Sequence, residues 1–282
     1  LSTNDGAHNG SSLLEQYIST VSATQRVTIV IAAGNEGEAA HHVGGTLEDI
    51  NEVYFNISSD ESIVVINLYK SLLPDVSIEL LCPCGFSTGE IILKEGFNEG
   101  TIGNSRYSIY LTGPKPFDVS GEIGIMLTGI NEFVSPGQWK ITLRKVNEYD
   151  GKFDMWLPIS EGLNINTKFL NPVKYTTITL PSTTNGAISV GYYNQNNNSV
   201  VSESGNGYTR NGSIKPDIVA GGSNALVTIP GGTTSVMTGS SVAGAVVAGC
   251  CALILQWAVS DGNYPDIYAS QIKTYIISGA KT

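Results

Sequence analysis

Two short segments hold residue types whose placement could do acyl-transfer chemistry. The first is Gly239-Ser-Ser-Val-Ala-Gly244, which precedes a long apolar run. A serine where a loop runs into a helix meets free backbone amides and the positive end of the helix dipole. Both favour a developing oxyanion, so Ser241 is a candidate nucleophile. Read alone, the same spacing also describes a helix cap by Ser240 or Ser241. The second segment is Ala32-Ala-Gly-Asn-Glu-Gly37, at the end of an apolar strand-like run. An asparagine held by such a loop can donate a hydrogen bond to an oxyanion, which makes Asn35 a candidate donor. Read alone, Asn35 is also an ordinary turn residue. The three histidines, His8, His41 and His42, stand in loop contexts and read as exposed. None opens a helix as a general base beside a serine would.

Certain elements must position these residues. Ser12-Leu-Leu-Glu15 is a capping-box pattern, and Leu13, Leu14, Tyr17, Ile18 and Val21 follow at helical spacing, predicting a helix over 11–25. Val27–Ala33 is β-branched and almost wholly apolar, as expected of a parallel strand buried on both faces. From about residue 46 to 175 the texture changes. Short alternating runs, among them 62–68, 76–80, 90–93, 107–111, 121–127 and 138–144, are broken by Gly, Pro, Asn and Asp. They predict an antiparallel β-sandwich. Strand-like runs return at 177–180 and 187–193. Lys215-Pro-Asp217 turns into another, and helices are predicted over 241–259 and 267–278. The fold class is therefore α/β: a parallel sheet with flanking helices in 1–45 and 176–282, interrupted by a β-sandwich in 46–175.

Composition narrows the function. The chain has 282 residues, 14% of them charged, and a net charge of −10. Residues 46–175 hold 17 acidic against 10 basic side chains. With no basic patch, no nucleic-acid partner is expected. Cys82-Pro-Cys84 and Cys250-Cys251 lack the spacing of a zinc site, and no metal or cofactor is predicted. Cys82 and Cys84 read as turn residues, with a local disulfide as the alternative. Cys250 and Cys251 read as small buried hydrophobes. The apolar run 242–255 has the length of a buried core helix, so no membrane partner is expected. No signal-peptide pattern opens the sequence.

Taken together, the segments resemble the subtilisin-like serine proteases. That family has A-A-G-N-x-G carrying the oxyanion-hole Asn, then G-T-S-[MV]-A carrying the nucleophile, and Asn35 and Ser241 take those positions. Ser204-Gly-Asn-Gly-Tyr-Thr-Arg-Asn-Gly-Ser-Ile-Lys-Pro-Asp-Ile-Val-Ala220 resembles the family's S-x-x-G-x-T-x-x-G-x-x-K-P-D segment. The resemblance covers about 1–45 and 177–282. It implies that Leu1, Ser2 and Thr3 form the strand that pairs with an extended peptide, and that Ala32, Ala33 and Gly34 border the pocket for the residue before the scissile bond. The sandwich between the oxyanion loop and the nucleophile resembles the jelly-roll of Csp-type clostridial subtilases. That group points to an extracellular, cell-envelope or spore setting.

The departures carry information. Ser240 replaces the motif's Thr, Gly244-Ala245 replaces a Pro-containing continuation, and Ala220-Gly221-Gly222 replaces A-P-G. The family's D-[ST]-G and H-G-T patterns, which hold the triad Asp and His, are absent, and both would precede Leu1. The expectation is a serine endopeptidase of which this chain is the C-terminal portion, inactive alone, acting on peptide or protein substrates. Its partner is the N-terminal portion of the same protease, and by itself the chain self-associates. The alternative is a Csp-like pseudoprotease or interaction protein. A carbohydrate-binding sandwich, stacking sugars on Trp139 and Trp156, is a third reading, but burial is the more frequent role of a sandwich tryptophan, and a purely stabilising insertion is the default.

Overall fold

The computed structural model describes residues 2–281. The chain divides into two compact units. One gathers the residues up to Thr3, His8–Glu38 and the stretch from Tyr175 onward; the other comprises Asn4–Ala7 and Ala39–Lys174.

In the first unit, strand Val30–Ala32 runs parallel to Ile188–Asn194, which in turn runs parallel to Ile218–Gly221. Helix Ser240–Leu255 lies on these strands. It buries Ser240, Ala243, Gly244, Val247 and Cys251, which recur at helical spacing. With Ile188, Val190, Tyr192, Ala258, Ile267 and Ile272, this face forms the unit's core. The opposite face is uncovered. Val246 and Leu253 are exposed, and so is Cys250, so only Cys251 of that pair is a buried hydrophobe. The stretch Ser240–Ser260 is long and apolar enough to cross a membrane, yet its inner face is seated on the sheet.

The strand expected to be buried on both faces is half-buried. Among the described residues, Val30–Ala32 pairs on one edge only. Helix Leu13–Gln25 carries the expected capping box: Glu15 N donates to Ser12 Oγ at 3.3 Å and Ser12 N to Glu15 Oε2 at 3.2 Å. Its packing face differs from the apolar pattern. Leu13, Leu14 and Tyr17 are exposed, whereas Glu15 and Ser22 are buried. The helix docks through polar groups instead. Glu15 accepts from the Thr183 hydroxyl, Thr184 Oγ1 donates to Glu15 O at 3.0 Å, and Gly186 N donates to Ser19 Oγ at 3.2 Å. A Cβ on Gly186 would run into Ser19.

Under the sheet lies a buried ionic cluster. Asp217 accepts from Lys215 Nζ at 2.7 Å and Lys273 Nζ at 2.9 Å, and also from Ser189 N at 2.8 Å. Burial pushes the Lys215 ammonium down to about 8, against the opposing hydrogen bond and charge of Asp217.

In the second unit, two antiparallel sheets enclose one apolar core. The order of one is His42–Thr46, Lys152–Trp156, Ile63–Lys70, Gly121–Gly129, Ser105–Thr112 and Gly96–Ile102. The other runs Lys168–Phe169, Ile50–Ile57, Gly137–Lys145, Val76–Leu81 and Ile91–Ile92. Alternate residues of both sheets point inward, including Ile66, Leu68, Ile78, Leu80, Ile123, Ile125 and Ile141. Cys82 and Cys84 are disulfide-bonded at the tip of a hairpin, so the alternative reading holds there.

One alternative and one expectation fail in this unit. Trp139 and Trp156 are fully buried, which removes them as sugar platforms. Trp139 Nε1 donates to Ser135 O at 2.8 Å, and Trp156 stacks on His42 with centroids 4.7 Å apart. The histidines are buried too: His42 faces Asp154 Oδ1 at 3.1 Å, and His41 Nε2 lies 3.2 Å from Thr167 O. Imidazole combines an apolar body with two polar atoms, so a loop histidine can be drawn inward by one backbone or carboxylate oxygen.

Asp217→Ala would leave the buried Lys215 ammonium and the partly buried Lys273 ammonium without their carboxylate, and a loss of about 3–5 kcal/mol is expected in urea unfolding. Lys215 gives a pH signature. Its native value lies below the ordinary 10.5 of the unfolded chain, so the unfolded chain binds more protons between about 8 and 10.5. Stability contributed at this group therefore rises with pH across that window. Urea midpoints at successive pH values should show the rise, and Lys215→Met should flatten it.

Candidate functional site

The loop after strand Val30–Ala32 is held on three sides within the first unit. Ala33 is fully buried; its N–H donates to Val190 O at 2.8 Å and its carbonyl accepts from Thr179 N at 3.0 Å. Gly34 adopts φ +92°, and a Cβ there would strike the Thr179 side chain, so the turn requires glycine. Gly205 N donates to Gly34 O at 2.9 Å, and Gly37 N to Glu203 O at 3.1 Å. The Ser204-Gly205 end of the third motif thus clamps the Asn35 loop. Sequence alone offered no reason for that contact.

Helix Ser240–Leu255 begins on the other side of this loop. Gly239 is its N-cap residue, at φ 143°, and no side chain caps the helix. The capping role open to Ser240 and Ser241 in the sequence is therefore filled by neither. Ser240 instead faces the loop and is buried. Its N–H and its Oγ both donate to Asn35 Oδ1, each at 3.0 Å, and its Oγ accepts from Gly34 N at 3.1 Å. With Oδ1 committed to these donors, the orientation of the Asn35 amide is fixed. A Cβ on Gly239 would come 3.3 Å from Asn35 Nδ2, so glycine there keeps this approach open.

The remaining donors can be accounted for one by one. Val242 N and Ala243 N donate to Gly239 O at 3.1 and 3.4 Å, and Ser240 N is taken by Asn35. Among the described residues, Ser241 N–H, Ser241 Oγ and Asn35 Nδ2 have no partner. Asn35 and Ser241 are both exposed. The structure thus joins the two candidates through Ser240 and leaves two directed donors beside an exposed hydroxyl, at the positive end of a helix of 16 residues. Such an arrangement can hold an oxyanion.

The other candidates fall around the same loop. Thr3 pairs with Leu180, with N–H to carbonyl distances of 3.1 and 2.8 Å. Ser2 and Thr3 are exposed, whereas Leu1 lies outside the described residues. His8 is not at Ser241; it is buried, with Nδ1 2.8 Å from Ile178 O. Sequence reasoning missed Ser240 and Thr179 as the groups that fix the loop. The one available signal was a short hydroxyl residue immediately before the nucleophile position.

Residues 157–282 match the subtilase family model. No curated protein sequence matches the chain. Among solved structures, the chain is similar to the CspB protease of Clostridium perfringens, with 44% identity and a TM-score of 0.94. The match covers all of this chain and 59% of that one. Residues 157–282 thus resemble the subtilase family, and the chain has the α/β fold, a parallel sheet together with antiparallel sheets, of the corresponding part of the CspB protease.

Proposed function

We propose that this chain supplies the nucleophile and oxyanion site of a subtilisin-type serine endopeptidase, with Ser241 as nucleophile. The observation that carries this reading is the pair of donors without acceptors, Asn35 Nδ2 and Ser241 N–H, beside an exposed Ser241 hydroxyl. Ser241 Oγ attacks the carbonyl carbon of a peptide bond, and the two donors receive the tetrahedral oxyanion. A histidine oriented by an aspartate takes the Ser241 proton and returns it to the leaving amine. Those two groups come from residues outside this chain, which spans 59% of the CspB protease. Water then hydrolyses the acyl-enzyme. Ser2 and Thr3 on one side and Ala32, Ala33 and Gly34 on the other hold the substrate as an extended strand. Residues 1–45 and 176–282 form the catalytic domain in this reading, and the sandwich of 46–175 stabilises it.

The partner follows from the uncovered apolar surface. Leu13, Leu14, Tyr17, Val246, Leu253 and Trp257 are exposed on the first unit, and strand Val30–Ala32 has an unpaired edge among the described residues. The N-terminal portion of the same protease covers this surface, and chains lacking it self-associate. Light scattering should find the 282-residue chain larger than a monomer at micromolar concentration, and monomeric behaviour would contradict the assignment.

A fluorophosphonate probe tests the chemistry. The 282-residue chain alone should remain unlabelled, because among the described residues no base is hydrogen-bonded to the Ser241 hydroxyl. The protease carrying the preceding residues should be labelled, and Ser241→Ala should abolish labelling. A complete protease left unlabelled would make this a non-catalytic relative. In the complete enzyme Asn35→Ala should lower kcat by about 10²–10³, the loss known for the equivalent donor of subtilisin itself.

A further inference from the structure

A cavity of about 220 Å³ opens between helix Leu13–Gln25, residues Thr28 and Ile29, the Asn185-Gly186 turn and the start of helix Ala269–Ser278. It shares no residue with the arrangement around Ser241. Donors without acceptors collect on its wall. Ser22 is only 6% exposed, lines the cavity, and its hydroxyl has no partner among the described residues. Thr28 Oγ1 is buried there and is also unpartnered.

Helix Ala269–Ser278 turns its N-terminus to the same space. Tyr268 N is taken by Gln271 Oε1 at 2.8 Å, and Gln271 N and Ile272 N donate to Tyr268 O at 3.0 and 3.1 Å. The amides of Ala269 and Ser270, both on the cavity wall, have no acceptor among the described residues. One turn further, Lys273 lines the wall while donating to Asn185 O at 3.3 Å, Ala187 O at 3.0 Å and Asp217 Oδ1 at 2.9 Å. Lys215 shares that carboxylate, so two ammoniums face one carboxylate and one positive charge is left over. At the rim, Arg26 stacks over Tyr268 at 4.8 Å and is compensated by Asp266.

We propose that this cavity binds a small tetrahedral oxyanion of the phosphate type. Helix N-terminal amides and the helix dipole favour an anion, and the surplus charge has the right sign. The donors come from three separate elements, which matches oxygens spread over a tetrahedron better than the planar pair of a carboxylate. A water's share of liquid volume is about 30 Å³, so the space holds an oxyanion with several waters. A bound anion would tie helix Leu13–Gln25 to helix Ala269–Ser278 and stabilise the fold by mass action.

The test is a titration of the full chain with inorganic phosphate at constant ionic strength, read by calorimetry and by thermal unfolding. Chloride and acetate serve as controls. A saturable heat and a rise in Tm specific to phosphate are expected. Ser22→Ala should weaken binding roughly tenfold, as for a lost hydrogen bond to a charged group. Ser270→Asp should abolish binding without lowering Tm in the absence of phosphate, because a carboxylate at a helix N-terminus is itself favourable. Methyl phosphate separates the sources: binding equal to phosphate assigns a phosphomonoester group, and weaker binding assigns the free ion. No saturable response, an equal response to acetate or chloride, or full binding by Ser270→Asp would overturn the proposal. Should Ser270→Asp not fold, undiminished binding by Ser22→Ala would overturn it equally.

Discussion

One shared oxygen organises the first unit. Asn35 Oδ1 accepts both donors of Ser240, a residue 205 positions away, and so joins the loop after a parallel strand to the start of the helix that covers that strand. The amide cannot rotate without leaving buried Ser240 donors unsatisfied, which carries a desolvation penalty of about 1–3 kcal/mol. Everything else at the site follows from this constraint. The glycines at 34 and 239 give the backbone room to approach, and the Ser204-Gly205 segment closes the loop from the far side. The two donors that remain are unmatched because each of their neighbours is matched.

The two units are stabilised by different means. The sandwich interior is almost wholly aliphatic and aromatic, with both tryptophan side chains enclosed. Each such side chain contributes roughly 1.5–3 kcal/mol on burial. The first unit buries more polar chemistry: Glu15 against the 183–184 hydroxyls, and Asp217 between two lysines. Buried ion pairs add little net stability, but they penalise every arrangement that separates the partners. Asp217 receives Ser189 N from the central strand and Lys273 from the last helix, so it fixes how that helix meets the sheet.

The same logic explains where apolar side chains are left uncovered. Helix Leu13–Gln25 meets its own unit through Glu15 and Ser19, and its leucines are exposed. Helix Ser240–Leu255 is apolar on all sides, as expected of a helix covered all round, and has one face seated. Apolar residues show which surfaces must be covered. They do not show whether the cover comes from the same chain.

Local signals in the sequence were sound. The capping box at Ser12 and Glu15, the β-branched run before Ala33 and the alternating runs of the sandwich each encode one element, because they act over a few residues. The length of the apolar run also placed the Ser241 helix. Sequence left Asn35 and Ser241 as a turn residue and a cap unless taken together, since each motif is weak alone. It also left the three histidines, Cys250 and the packing face of Leu13–Gln25 misjudged. Those outcomes depend on contacts between distant residues: an imidazole is buried or exposed according to the oxygen it meets, and a helix face according to what docks there. The identity of the candidate groups was therefore written in the sequence. Their orientation was decided only when folding brought Ser240 against Asn35 and committed Asn35 Oδ1, leaving Asn35 Nδ2 and the Ser241 N–H without acceptors among the described residues.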